Sequence, residues 1–107
     1  MGKSQRTKGA DGEREVVNLL KSYGFESQRT APMQAGGTGF GDVSGLPGYY
    51  VEVKRQERWR VQAWYDQADK AAYIDEIPLV LMRSSRKDWL VVMDARDFLD
   101  VITGEKP

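Results

Sequence analysis

The chain has 107 residues, 16 of them basic and 16 acidic, with no cysteine and no histidine. That length holds one domain around a single modest core. The missing residue types exclude disulfides, thiolate metal sites, imidazole acid–base chemistry and His-ligated zinc, so any catalysis must come from carboxylates, lysine, hydroxyls or a metal held by oxygen.

The composition, 40% hydrophobic and 30% charged, is that of a soluble globular protein. No apolar run approaches the roughly 18 residues of a membrane span, and the opening MGKSQRTKGADGERE lacks the apolar segment of a signal peptide. A cytoplasmic protein without a membrane partner is expected. The balanced charge argues against a nonspecific nucleic-acid binder, but the halves differ: residues 1–60 carry net +3 and residues 61–107 net −3.

Residues 1–8 carry Lys3, Arg6 and Lys8 with no acid, which reads as a flexible basic arm ahead of a single domain over residues 9–107. A helix is expected from about Asp11 to Tyr23, stopped by Gly24. At 100° per residue Val16, Val17, Leu19, Leu20 and Tyr23 share one face, and Glu13 falls inside that apolar arc while Glu15 and Lys21 fall outside it. An acid there is favoured by the helix dipole, but an inward carboxylate needs a partner.

A short strand over Phe25–Thr30 should lead into the glycine-rich APMQAGGTGFG. This loop lacks the Gly-Lys-Ser/Thr ending of a P-loop and no helix start follows it, so no nucleotide cofactor is expected. The next pair reads as a hairpin, GDVSG and YYVEVKR, turning at Leu46-Pro47-Gly48. If the turn centres on Pro47, Asp42 lies opposite Glu52, with Cβ atoms about 4.5–5.5 Å apart.

RVQAWYDQADKAAYIDE reads as a helix with Trp64, Ala68, Ala71 and Ile74 inward and Gln67 among them. Strands IPLVLMR and DWLVVM follow, joined by SSRK, and a last helix from about Asp94 should bury Phe98, Leu99 and Ile102 and stop at Gly104. The order α-β-β-β-α-β-β-α implies an α/β domain with a central mixed sheet flanked by helices.

Asp42, Glu52 and Lys54 form D-x9-E-x-K. An exposed Glu-x-Lys pair is commonly a surface salt bridge, but two carboxylates this close repel unless a cation neutralises them. Oxygen-only ligation suits Mg²⁺ or Mn²⁺ completed by substrate phosphate. Such an ion polarises a phosphoryl oxygen and acidifies an attacking water, and Lys54 can orient that water or offset the developing charge. Glu13 is a candidate third carboxylate, and Gln67 a candidate amide behind the first ring of groups. Arg14, Arg29, Arg55, Arg58 and Arg60, with Lys8 of the arm, are candidate phosphate contacts. Trp59 and Trp64 could stack on bases, though core packing suits Trp64 better.

With these residues in place the chain resembles the PD-(D/E)XK nuclease superfamily, in particular the small Holliday junction resolvases of archaea and their phage and prophage relatives. KGADGEREVVNLLKSYGF resembles the opening helix of that family, and the likeness extends over about residues 8–102. It implies a restriction-endonuclease-like core, metal binding by Glu13, Asp42 and Glu52, assistance by Lys54, and Arg14 and Arg29 near the scissile phosphate. It also implies a homodimer acting on four-way junction DNA, since paired symmetric cuts require two active sites. Gly41 stands where the motif has proline. A flap- or end-processing nuclease without junction preference, and a DNA-binding module without catalysis on the same scaffold, are the alternatives.

Overall fold

The computed structural model describes residues 2–30 and 41–106, with side chains from residue 9 onward. The glycine-rich residues 31–40 and the side chain of Lys8 lie outside the described residues. Helix α1 spans Gly2–Ser22, strand β1 Tyr49–Arg55, helix α2 Val61–Ala71, strands β2 Ile77–Arg83 and β3 Leu90–Val92, and helix α3 Ala95–Ile102. The three strands form one mixed sheet in the order β1-β2-β3. β1 and β2 are parallel, as a connection through α2 requires, and Glu52 lies beside Val80 and Lys54 beside Met82. β2 and β3 are antiparallel across the 84–89 turn.

Both faces of the sheet are covered. Val51 and Val53 of β1 with Ile77, Leu79 and Leu81 of β2 pack against Val16, Val17 and Leu20 of α1 and against Val43. Tyr50, Val80 and Met82 pack on the other face against Trp64 and Ala68 of α2. This explains why IPLVLMR is a continuous apolar run: six of its seven residues are buried because both faces are buried. At Gly12, an added Cβ would approach Arg55 Cβ to 3.0 Å. Glycine weakens a helix interior by about 1 kcal/mol, but here it lets α1 lie close on β1.

Several expectations are corrected. The helix expected from Asp11 begins at Gly2, so it runs through residues 2–8, the stretch expected as an arm. The strand expected at Phe25–Thr30 and the GDVSG half of the hairpin reduce to two isolated bridges, Arg29 with Val43 and Gly41 with Val51, the latter parallel. The turn forms as expected, with Tyr49 N–H donating to Leu46 O at 3.1 Å and Gly48 at φ 88°, but no regular antiparallel ladder follows. The Asp42 side chain, not a second backbone carbonyl, takes the next N–H of β1.

α2 ends at Ala71, and the extended backbone at Ala72 carries Ile74 out to full exposure rather than into the core. Its buried stripe runs through Trp64 and Ala68 with Val61, Tyr65, Ala71 and Ala72 beside them. Gln67 lies roughly 100° from the centre of that stripe at 100° per residue and is exposed. α3 starts where expected, its N-cap Asp94 accepting from the N–H groups of Arg96 and Asp97. It does not bury Phe98, Leu99 or Ile102, which are 49%, 56% and 62% exposed; Val101, one position round the helix, is the residue packed against the core. Among the described residues no helix is long and apolar enough to cross a membrane.

Candidate active site

The period of two along β1 sends Val51 and Val53 toward α1 and Tyr50, Glu52 and Lys54 toward α2. On that second face Glu52 is 6% exposed, a carboxylate inside an otherwise apolar layer. Its neighbour comes from the segment beside the strand. The Asp42 N–H donates to Val51 O at 2.8 Å and its carbonyl accepts from Thr30 N–H at 3.0 Å, while its Oδ2 accepts from Val53 N–H at 2.7 Å. Asp42 is thereby locked to β1 by main chain and side chain alike. Its carboxylate and that of Glu52 are within hydrogen-bonding reach of each other.

The electrostatics follow from that proximity. Burial, then the charge of Asp42, pushes the Glu52 carboxyl up to about 7 from 4.5, against the opposing pull of Lys54. Asp42 is also raised, chiefly by burial, with the Val53 N–H, Lys54 and a hydrogen bond from Glu52 pulling the other way. Both shifts run the same way, so burial and mutual repulsion make this pair hold a proton more readily than free carboxylates do. Lys54 Nζ lies 3.6 Å from Glu52 Oε2 with its side chain 19% exposed, and 6.0 Å above the Trp64 ring. Trp64 is a core residue, as expected, and also a flat wall that confines the ammonium.

Glu13 approaches this group from α1 and raises Asp42 through its charge, but its Oε1 accepts from Arg29 Nε at 2.9 Å. Among the described residues no three acidic side chains lie close enough to hold one ion together. The structure therefore brings Asp42, Glu52 and Lys54 together and leaves Glu13 next to them, tied to Arg29. Arg29 is fixed by the pairing of residues 28–30 with 42–44, in which Thr30 N–H donates to Asp42 O and Ser44 N–H to Gln28 O.

The other basic candidates are dispersed. Arg14 pairs with Asp11 at 3.1 Å and stays 58% exposed. Arg55 lies on the α1 face of β1, 3.3 Å from Glu15 without hydrogen-bond geometry at its Nε. Arg83 donates to the same Glu15 at 2.9 Å and lies over Trp89. Arg55 thus belongs to a packed ion cluster on the face opposite Lys54. Arg58 and Arg60 are exposed in the link to α2, as is Trp59, whose Nε1–H donates to Gln56 O. Gln67, expected behind the carboxylates, is exposed on the flank of α2. Two contributors were not expected: the Val53 N–H, because a backbone donor carries no sequence signal, and Gly12, whose place on the inner side of α1 could have been read from the helical wheel.

Gly41 also acquires a reason. Its φ of 81° is outside the range of proline and strained for any L side chain, and an added Cβ would collide with the Val51 carbonyl oxygen. Where the motif has proline, this backbone accepts only glycine.

As a donor set, Asp42 and Glu52 fit a hard divalent cation. Both are oxygen ligands, both are raised chiefly by burial and then by a neighbouring carboxylate, and when both are ionised the one ammonium beside them does not offset two charges.

The comparisons with known proteins agree in class. A family model described as a phage putative PDDEXK endonuclease matches residues 4–106. The solved structure of Hjc, a Holliday junction resolvase from the archaeal hyperthermophile Archaeoglobus fulgidus, is similar with a TM-score of 0.55 at 18% identity, over 80% of this chain and 72% of that one. No curated protein matches significantly. The likeness to Hjc is one of fold, a restriction-endonuclease-like core.

Proposed function

Since the chain belongs to the family of phage putative PDDEXK endonucleases, we propose that it hydrolyses DNA phosphodiesters with a divalent cation, Mg²⁺ or Mn²⁺, and that its substrate is a four-way junction. The observation that carries the catalytic reading is the meeting of Asp42, pinned by the Val53 N–H, with the buried Glu52 carboxylate beside Lys54. Two carboxylates held this close repel unless protons or a cation neutralise them, and that is the character of a site shaped for a cation.

Asp42 and Glu52 would hold the ion, with Glu13 as a further ligand. When bound, it would polarise a phosphoryl oxygen and acidify the attacking water. The protein's own part starts with loss of the Glu52 proton, which frees both carboxylates as ligands. Lys54, confined between Glu52 and the Trp64 ring, orients the water for in-line attack and offsets the charge that grows on the phosphorane oxygens. Arg29, with Arg14, Arg58 and the basic residues 3–8, supplies phosphate contacts that position the strand.

The preference for junctions draws on the fold shared with Hjc, a Holliday junction resolvase. It calls for a two-fold dimer. The exposed Phe98, Leu99 and Ile102 of α3 are the face we assign to a second copy. An eight-residue helix is not stable on its own, and Asp94, Asp97 and Asp100 on it have the wrong sign to meet a phosphate backbone.

The test is incubation of the purified protein with a synthetic four-way junction and with linear duplex, in Mg²⁺ and in EDTA. Paired symmetric nicks in the junction alone, in Mg²⁺ alone, are expected. Equal cleavage of linear DNA would remove the junction preference, and no cleavage of either with any divalent ion would remove the enzyme reading.

A further inference from the structure

The Glu13–Arg29 ion pair occupies an acidic side chain whose charge reaches Asp42 although it does not join the Asp42–Glu52 pair. Both partners sit on well-anchored backbone. Glu13 follows the buried Gly12, where α1 lies against Arg55 and Val53, and Arg29 is bridged to Val43, next in the chain to Asp42. The pair itself is partly open, with Glu13 22% and Arg29 36% exposed. An ion pair of that exposure is weak, whereas a guanidinium binds a phosphate through paired, charge-assisted hydrogen bonds. Arg29 is therefore a group a nucleic-acid phosphate can capture, and its capture leaves Glu13 uncompensated beside two other carboxylates.

Resting on the nuclease reading of this site, we propose that Arg29 is a positioning residue that withholds Glu13 from the cation until a DNA phosphate takes its guanidinium, so that cation and DNA bind cooperatively. Without DNA, the ion meets two carboxylates and a third engaged with arginine. With DNA, Arg29 turns to the phosphate, and Glu13 becomes the third oxygen ligand at the moment the substrate is in place. By linkage the coupling is reciprocal: the ion tightens DNA binding by the same factor that DNA tightens ion binding.

The experiment is a calorimetric Mn²⁺ titration of the protein without DNA, at fixed pH, for the wild type, Arg29→Ala, Glu13→Gln and the double variant, with Arg29→Gln as a closer isostere. Circular dichroism melts establish that each is folded. Arg29→Ala and Arg29→Gln are expected to bind Mn²⁺ about fivefold more tightly than wild type, since an exposed ion pair is worth up to about 1 kcal/mol and 1.4 kcal/mol is a factor of ten. The gain should vanish in the double variant, because it acts through Glu13. A gain that survives Glu13→Gln would be a bulk charge effect and would overturn the proposal, as would no gain in either arginine variant. Adding a short duplex with a non-hydrolysable phosphate analogue should tighten Mn²⁺ binding in wild type and not in Arg29→Ala. The outcomes also separate this idea from the nuclease reading. DNA cleavage by wild type with no Mn²⁺ gain in Arg29→Ala sinks the latch alone; a Glu13-dependent gain in a protein that cuts no DNA sinks the nuclease reading alone.

Discussion

The N–H of Val53 donates to Oδ2 of Asp42 at 2.7 Å, so the residue between Glu52 and Lys54 is the one that anchors the aspartate. The spacing of Glu-x-Lys thus does two things at once: it puts both side chains on one face of β1 and leaves the intervening amide to hold the third group. Two substitutions separate these roles. Asp42→Asn keeps an acceptor for the Val53 N–H and removes a charge from a crowded site, so it should melt at or above the wild-type temperature without metal. Asp42→Ala strands a buried donor and should lose about 1–3 kcal/mol. Both should lower cleavage by at least about 100-fold, measured on the same DNA at saturating Mg²⁺.

The Glu52 proton makes stability depend on pH. The folded value of about 7 lies above the ordinary 4.5, so the folded state binds the proton more tightly than the unfolded chain. Its stabilising contribution is fully present below about 4.5 and is lost as pH rises through about 7. Asp42, raised as well, acts in the same direction. At about 1.4 kcal/mol per unit the full loss is on the order of 3 kcal/mol, or well over about 10 °C in Tm for a domain of this size. In EDTA the melting temperature should fall between pH 5 and pH 8, Glu52→Gln should flatten that fall, and millimolar Mg²⁺ or Mn²⁺ should restore stability at pH 8 but not at pH 5. A flat wild-type profile in EDTA would refute the raised Glu52 carboxyl.

How much of this was legible beforehand depends on what each feature rests on. Residues 49–55 announce themselves by alternation and 77–83 by a near-continuous apolar run that burial on both faces selects, and the turn at Pro47-Gly48 carries its own chemistry. The spacing about that turn set Asp42 opposite Glu52 on an antiparallel pair; the two do come together, but through a lone parallel bridge and a side-chain hydrogen bond, so the register expected is not the one formed. Periodicity alone cannot reveal such a substitution of side chain for backbone. Gln67 and Ile74 were misplaced because helical phase is decided by where α2 ends and which residues its neighbours bury. Arg55 was misassigned for a plainer reason: it alternates with Lys54 and so faces α1, where Glu15 waits.

Gly41 gives a prediction opposite to what the motif name suggests. Restoring the motif's proline, Gly41→Pro, forces φ from 81° to about −65° at a point where the backbone touches the Val51 carbonyl. Gly41→Ala meets the same carbonyl with its Cβ. Each should cost about 1–3 kcal/mol or more, read as a lower urea midpoint, and each should reduce cleavage by displacing Asp42, the next residue. Proline as stable as glycine here would show that the Gly41–Val51 contact is not kept in solution.

The apolar face of α3 supplies the test of assembly. Phe98, Leu99 and Ile102 stand 49%, 56% and 62% exposed on a helix anchored to the core by Val101. Because Phe98 is about half exposed within one chain, replacing it by aspartate should cost the monomer on the order of 2 kcal/mol, and circular dichroism must show that the variant stays folded. If a second copy covers this face, the same change places a charge in an apolar contact on both sides of the two-fold, doubling its effect. Sedimentation of wild type should then give a dimer and of Phe98→Asp a monomer, with symmetric junction cleavage replaced by single, uncoupled nicks. A wild-type monomer at micromolar concentration, or a Phe98→Asp protein that still dimerises, would move the two-fold contact off α3.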